Sequence, residues 1–534
     1  MKNLYLFALL YLLRTAVAAQ SPACTLSDPI PGMPLAGWNK VQQMRNGNTV
    51  MIHLESQKGI TVKVFDQEHK LVASQKHICN LFDINNIANT TYKGLYDIGG
   101  EAVLFLQQPY NNHLSLFRLR FSATDGTMIK EEAMLASAAL QNANYCFVAK
   151  MPDHDEYAVV VMKDLYRHPE EKTQFMLWNG NHELVKRTDM GMSGKNINSL
   201  GLLSIKGEHN GLYCAFRLET QNDTGKRQQF IVTTWWPAGD MALQLHFSEI
   251  PDDHQAIASV MCYNPVAQQQ QLLTAATYRF RREDELYDDH GIWAVPYFGS
   301  YDRKRLVQTL QKVPPHKINA SSHDADTFLH HYYTPEKIYT DAAGRPVLLY
   351  EEAISTRHME HGKFYPRTYM GNIGLSVLDD KGNETYQAVI PKKQSLENYY
   401  RPQEVMMRPF NVNLPGSTAK ELYYRQFSSF DLVPAGDRAF IIFNDNEKNS
   451  ELGDTQPLYS TDYYDYSNAL CYTFSKDNTL TRTALFGASA VNEYKSCMLE
   501  SASYDPATGT YAVLMLHRQG KKVDTKLAWI RFAP

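Results

Sequence analysis

The chain lacks the features that mark most enzyme and transport classes. In 534 residues no apolar run beyond the first twenty positions is long enough to span a bilayer, so a helical membrane protein is excluded. Neither charge sign dominates: 53 Lys and Arg stand against 57 Asp and Glu, a formal charge of −4. A general affinity for nucleic acid or anionic membrane has no support in that balance. There is no GxSxG nucleophile elbow, no phosphate-binding glycine loop and no HExxH pair. Cysteines number only seven, without CxxC or zinc spacing, and an odd count leaves at least one unpaired. Cys146, Cys214, Cys262, Cys471 and Cys497 sit in apolar strand-like runs and read as buried thiols. Cys24 and Cys79 sit in looser segments and are the one pair a disulfide would suit.

Aromatic residues are plentiful at 12%, with 33 tyrosines, a bias towards pleated, half-buried surfaces. The N-terminus reads as an export signal. Lys2 precedes the apolar stretch from Leu4 to Leu13, and Ala16-Val17-Ala18 supplies the small-x-small cleavage pattern, giving a signal over residues 1–19 and a mature chain over 20–534. The residues before Cys24 (Ser21-Pro22-Ala23) do not match a lipoprotein signal, so the expected product is periplasmic or extracellular and not lipid-anchored.

Past the signal, one pattern recurs. Val50, Ile52 and Leu54 alternate with Met51, His53 and Glu55; after Lys58-Gly59, Ile60, Val62 and Val64 alternate with Thr61 and Lys63; Asp66 to His69 then turns the chain into Leu71-Val72. Alternation with period two between turn residues is the signature of a β-meander. Further copies follow at roughly 60-residue spacing, the range of four-stranded propeller blades with long loops. Each copy is apolar on both faces and must be covered by its neighbours, which only a closed ring achieves without leaving an end bare. The expected fold is therefore all-β: a single β-propeller of about eight four-stranded blades, with seven as the alternative and two β-sandwiches as the competing architecture. The last copy stops after its third strand, so a segment after the signal, around 30–36, is expected to supply the missing strand and close the ring.

Candidate functional residues lie in the later loops. Glu351-Glu352 is a paired carboxylate of the kind glycoside hydrolysis uses. His358 and His361, in a stretch rich in ionisable groups, are candidate transition-metal ligands. Acidic residues within 281–290 are a candidate calcium loop. Asn444, Asp445 and Asn446 follow an apolar strand; they form either Asx turns or a polar site at the strand end. No cofactor is expected from any complete motif; calcium or a transition metal is the group these clusters would admit. Tyr423-Tyr424 and Tyr463-Tyr464-Asp465-Tyr466 offer an aromatic contact surface.

Three segments together carry a resemblance: Ile373 to Asn383, then Val389-Ile390-Pro391-Lys392-Lys393-Gln394, then Phe443 to Asn449. Their order is similar to a group of exported, uncharacterised β-propeller-like proteins of Bacteroidetes, in which a signal ending in Ala-Gln is also typical. The resemblance implies an exported bacterial protein and transfers no activity. With Lys392 and Gln394 added, the candidate ligand-binding set is Glu351, Glu352, Lys392, Gln394, Asn444, Asp445 and Asn446. The reading that follows is a non-enzymatic binding or scaffold propeller engaging a protein or glycan through one face. The alternative is a secreted glycan-active hydrolase with carboxylates at the mouth of the central channel.

Overall fold

The computed structural model describes residues 22–31, 37–56, 58–110, 113–134, 145–162, 173–190, 196–208, 211–222, 224–237, 244–250, 254–278, 294–302, 311–312, 333–360, 363–379, 382–397, 425–450, 458–462 and 464–532. The export signal, the acidic 281–290 loop and His361 lie outside them. Among the described residues no helix is long and apolar enough to cross a membrane.

The strands form eight antiparallel sheets, seven of four strands and one of five. Blade one is the clearest: Trp38–Gln43, Thr49–Glu55, Gly59–Phe65 and Leu71–His77, paired in chain order. Thr49–Glu55 is buried almost throughout, whereas Leu71–His77 is mostly exposed. The first strand of each blade is therefore innermost and the last faces solvent. Blades two to five occupy 91–133, 145–190, 196–250 and 254–312, blades six and seven 333–397 and 431–484, and blade eight begins at 493.

Packing shows that the ring closes. Val50 and Ile52 of blade one share a core with Leu104 and Phe117 of blade two. The same holds for each neighbouring pair in turn. The series returns to its start where Leu514, Leu527 and Trp529 of blade eight pack on Val41, Met51 and Phe65 of blade one. Each fully buried Val, Leu, Ile or Phe contributes about 1.5–3 kcal/mol, so every blade depends on both neighbours for its stability. Two separate sandwiches would lack these inter-sheet cores.

The seam is closed as expected in kind but not in place. Blade eight contributes Glu493–Asp505, Thr510–Gln519 and Lys522–Arg531, and its outer strand is Ala23–Leu26, with Ala23 opposite Arg531 and Leu26 opposite Ala528. The expected segment around 30–36 lies downstream of that strand. Its first residue, Ile30, still donates to the Thr525 carbonyl at 2.8 Å and is buried against blades eight and one. Residues 32–36 of the expected segment lie outside the described residues, and the innermost strand of blade one begins at Trp38.

The hairpin turns explain why the copies were visible. In Asp66–Lys70, Asn179–Glu183, Asn222–Lys226 and Asp341–Arg345, the first residue's Oδ1 accepts backbone N–H groups two and four residues on. The fourth position has positive φ, filled by His69, His182, Gly225 and Gly344. An Asp or Asn followed three residues later by a residue tolerant of the left-handed region is thus a five-residue turn used repeatedly. At the end of the ring carrying the turns between first and second strands, Arg45 of blade one braces blades two and three through Asp97 and Asp155.

One smaller expectation changes. Cys24 and Cys79 are both free thiols: Cys24 is on the outer strand of blade eight, while Cys79 sits beside Glu131 of blade two. Gln311–Lys312 completes blade five, paired as a strand with Tyr297 and Phe298. The five other cysteines are buried, as their apolar neighbours implied, and burial pushes the thiols of Cys146, Cys214, Cys262 and Cys471 up to about 12.

Candidate functional site

Blade six departs from its neighbours. Its second and third strands, Pro346–Glu360 and Lys363–Leu378, run well past the blade. Its outer strand Glu384–Ile390 pairs only with Ile373–Leu378. Beyond a register shift between Glu351 and Ala353, the hairpin continues alone and takes a further strand, Gln394–Glu397, against Arg367–Met370. A parallel bridge from Gln394 to Thr461 joins this extension to blade seven. Met370 and Leu396 then pack with Phe427, Tyr464, Met498 and Leu514, which carries the extension over to blade eight. One end of the ring is thereby capped across blades six, seven and eight.

Beneath this cap the candidate residues meet. Lys392 Nζ donates to Glu351 Oε1 at 2.5 Å and to Gln394 Oε1 at 3.2 Å. The second oxygen of Glu351 accepts from Ser429 Oγ at 3.0 Å. Gln394 Oε1 also accepts from Ser429 N, and its amide donates to the Asn444 carbonyl. Asn444 donates from Nδ2 to the carbonyls of Phe427 and Cys497, while its Oδ1 accepts from Cys497 N at 2.7 Å. The Glu352 carboxylate occupies the space left by the missing side chain of Gly371, where an added Cβ would lie 2.2 Å from Oε2, and accepts from Asn372 N. The register shift is what turns both glutamates inward, since adjacent residues of a regular strand face opposite sides.

Asp445 and Asn446 are engaged separately. Asp445 Oδ1 accepts from Asn446 N and from Asn449 Nδ2, and Asn446 Oδ1 accepts from Lys448 N, the Asx-turn arrangement. Asn446 Nδ2 and Asn449 Nδ2 reach the carbonyls of Ser460 and Tyr459 and so anchor the returning chain.

The surroundings are closed to solvent at the surface. Glu351 and Asn444 are 0% exposed, Lys392 and Gln394 1%. Burial pulls Lys392 down to about 7 against the pull of Glu336, Asp445 and Glu352. Burial also raises Asp445, opposed by the Asn449 hydrogen bond and by Arg482. A lysine brought near neutrality among carboxylates from two blades is competent for proton transfer. Its atoms are also the ones that tie blade six to blade seven.

Sequence reasoning missed the segment that completes the network. Residues 425–430 precede blade seven's first strand, Asp431–Ala435, and lie against the innermost strands of blades one and eight. Gln426 Oε1 accepts from both nitrogens of Asn39 at 2.9 and 3.1 Å, its Nε2 donates to the Gly37 carbonyl, and its own carbonyl accepts from Glu500 N. Asn39 in turn holds His53 Nδ1 at 2.8 Å. Arg425 and Lys40 meet at Glu500, the first on its carboxylate at 2.9 Å, the second on its carbonyl at 2.5 Å. With Ser429 on blade six and Phe427 on blade seven, this short segment latches four blades. The only trace of it in the sequence is Phe427 and Phe430 alternating with Gln426, Ser428 and Ser429.

Of the metal candidates, His361 lies outside the described residues, and His358 is placed only by its backbone, opposite Tyr365 in the extended hairpin. Among the described residues no group of three or more His, Cys, Asp or Glu is placed to hold a metal ion. Of the tyrosine-rich stretches, Tyr464 is buried and stacks on Phe427, Tyr466 is half exposed, and Tyr423, Tyr424 and Tyr463 lie outside the described residues.

The fold defines a β-propeller. No family profile matches the chain, and no curated protein does. Solved structures with a comparable trace include polysaccharide lyase Uly1 (10% identity, TM-score 0.39, covering 82% of this chain and 89% of that one). Others are the BP39L lectin from Burkholderia pseudomallei (7%, 0.36, 84% and 98%) and the WD40 domain of SCAP from fission yeast (9%, 0.35, 96% and 98%).

Proposed function

We propose that this chain is an exported, non-enzymatic binding or scaffold propeller that engages a protein or glycan through the capped end of its ring. The carrying observation is the contrast between the two sides of the cap. Underneath, the polar groups are buried and spent on holding blades together. Outside, Tyr369, Tyr459 and Tyr466 stand 37%, 49% and 50% exposed. Tyrosine supplies contact area at low entropic cost and is enriched at binding hot spots. Export rests on the signal over residues 1–19, and a periplasmic or surface location in a Bacteroidetes-like cell follows from the resemblance. The test is binding of the purified chain to panels of polysaccharides and surface proteins. Tyr459→Ala or Tyr466→Ala should weaken binding about tenfold or more, equivalent to ~1.4 kcal/mol. A partner bound equally well by both variants would refute the assignment of the contact face.

One observation favours a second reading, a glycan-active hydrolase. Glu351, Glu352 and Asp445 come from two blades and surround one lysine of lowered pKa. On that reading a polysaccharide is shortened during incubation and Glu352→Gln abolishes cleavage without unfolding the chain. On the binding reading every bound polysaccharide keeps its length.

A further inference from the structure

The outward face of the cap has a chemistry of its own. Along the extended hairpin, Thr368 and Met370 point inward and are buried, so Arg367 and Tyr369 point outward. On the neighbouring strand Gln394 and Leu396 are buried beneath and Lys393 is exposed, while Ser395, opposite Tyr369, is covered and accepts from Arg367 Nε at 3.1 Å. Next to it runs the segment containing Tyr459, held by Ser395 N to Thr461 O and Thr461 N to Lys393 O. Adjacent strands lie about 5 Å apart, so Tyr369 and the 459–461 segment are roughly 10 Å apart, within reach of one short oligosaccharide.

On this face each exposed tyrosine carries a cation. Arg367 lies over the Tyr369 ring at 5.3 Å and Lys448 over Tyr459 at 5.1 Å; further along, Arg518 lies over Tyr466 at 4.4 Å. A ring with a cation on one face and solvent on the other offers an apolar plate beside a positive charge. Neutral sugars need only the plate. A polymer bearing carboxylates uses both, its pyranose C–H face on the ring and its carboxylate on the cation. Arg518 is already paired with Asp465 at 2.5 Å and Arg367 donates from Nε to Ser395 Oγ at 3.1 Å, so Lys393 and Lys448 are the charged part of the platform.

We infer that the outward face of the cap binds an acidic, uronate-bearing polysaccharide, with Tyr369 and Tyr459 as stacking plates and Lys393 and Lys448 as the carboxylate-binding cations. This rests on the reading that the capped end is the contact face, and it names the ligand class.

The test is native affinity electrophoresis of the purified chain through gels containing polygalacturonate or alginate, with dextran and laminarin as neutral counterparts. The uronates should retard the protein and the neutral glucans should not, and retardation should fall as salt is raised. Tyr459→Ala and Lys448→Ala should each weaken it at least tenfold, with unfolding midpoints unchanged because both side chains are at the surface. Tyr459→Phe, which keeps the plate, should retain most of it. Equal retardation by dextran or laminarin, lost in Tyr459→Ala, overturns the acidic class and leaves the capped end as the contact face. Uronate binding that survives Tyr459→Ala and Lys448→Ala overturns both. No retardation in any gel overturns the polysaccharide, while a protein partner lost in Tyr459→Ala would still uphold the contact face.

Discussion

Replacing Lys392 by methionine separates a structural pair from an open site. Lys392 and Glu351 are both fully buried and 2.5 Å apart, with Ser429 on the far oxygen of the glutamate. Methionine fills nearly the same volume but takes the ammonium away from the buried Glu351, which keeps the Ser429 hydroxyl. Stranding a buried charge in this way costs about 3–5 kcal/mol, against a typical total of about 5–15 kcal/mol. Glu351→Gln takes the carboxylate from an amine already lowered to about 7, which then gives up its proton, so this variant should cost less. In the Lys392→Met, Glu351→Gln double variant no charge is stranded, and the glutamine still accepts from Ser429. Its cost should therefore fall well below the sum of the singles, a coupling of roughly 1–3 kcal/mol. Urea unfolding followed by tryptophan fluorescence reads this directly, with single-variant midpoints lowered by on the order of 1 M. Singles that each cost under about 0.5 kcal/mol and add would refute the reasoning. They would mean that water reaches the pair, and the hydrolase reading would gain.

Three further outcomes follow from other parts of the ring. His182 is buried beside Arg118 and Arg120, and burial with those charges lowers it to about 4 from an ordinary 6.5. The unfolded chain therefore takes up the proton first as pH falls, and stability should drop between about pH 6.5 and 4; His182→Asn, which keeps the turn as Asn478 does in blade seven, should flatten that window in pH-dependent unfolding, and parallel curves would exclude the mechanism. In native thiol labelling Cys24 should react first, Cys79 more slowly, and the five buried cysteines only on denaturation; fast native labelling of Cys471 or Cys497 would contradict the closed core of blades seven and eight. Gln426→Ala removes the amide holding Asn39 and Gly37 and should lower stability by about 2–3 kcal/mol, accelerating proteolysis at the junction of blades one and eight; an unchanged digest would mean the latch does not bear on the seam.

Much of the ring could be read from the sequence because its rules are local. Alternation in Val50–Leu54 and Ile60–Val64 sets which face meets blade two and which meets blade eight, and the Asx turns set where each hairpin ends, all within a few residues. The closing strand was located only approximately. A four-residue exposed strand, Ala23–Leu26, carries almost no periodic signal, and its pairing is with residues some five hundred positions away.

The site was legible in its members and not in its state. Glu351-Glu352 stood out as a paired carboxylate, Asn444 as a polar residue after a strand, and Lys392 and Gln394 as members of the resembling segments, and the fold does gather them. What no local pattern could reveal was burial. That depends on the hairpin of blade six overrunning its blade and on residues 425–430 crossing to blade one, contacts with separations of up to 389 residues. A polar cluster at a strand end is open or closed according to what lies over it. Here the cover turns a candidate pocket into a joint between blades and moves the exposed chemistry one layer outward. On the proposed binding reading the tyrosines of that outer layer matter for a physical reason: they are held over a cross-linked polar network, and preorganisation of this kind would let a small contact surface bind well.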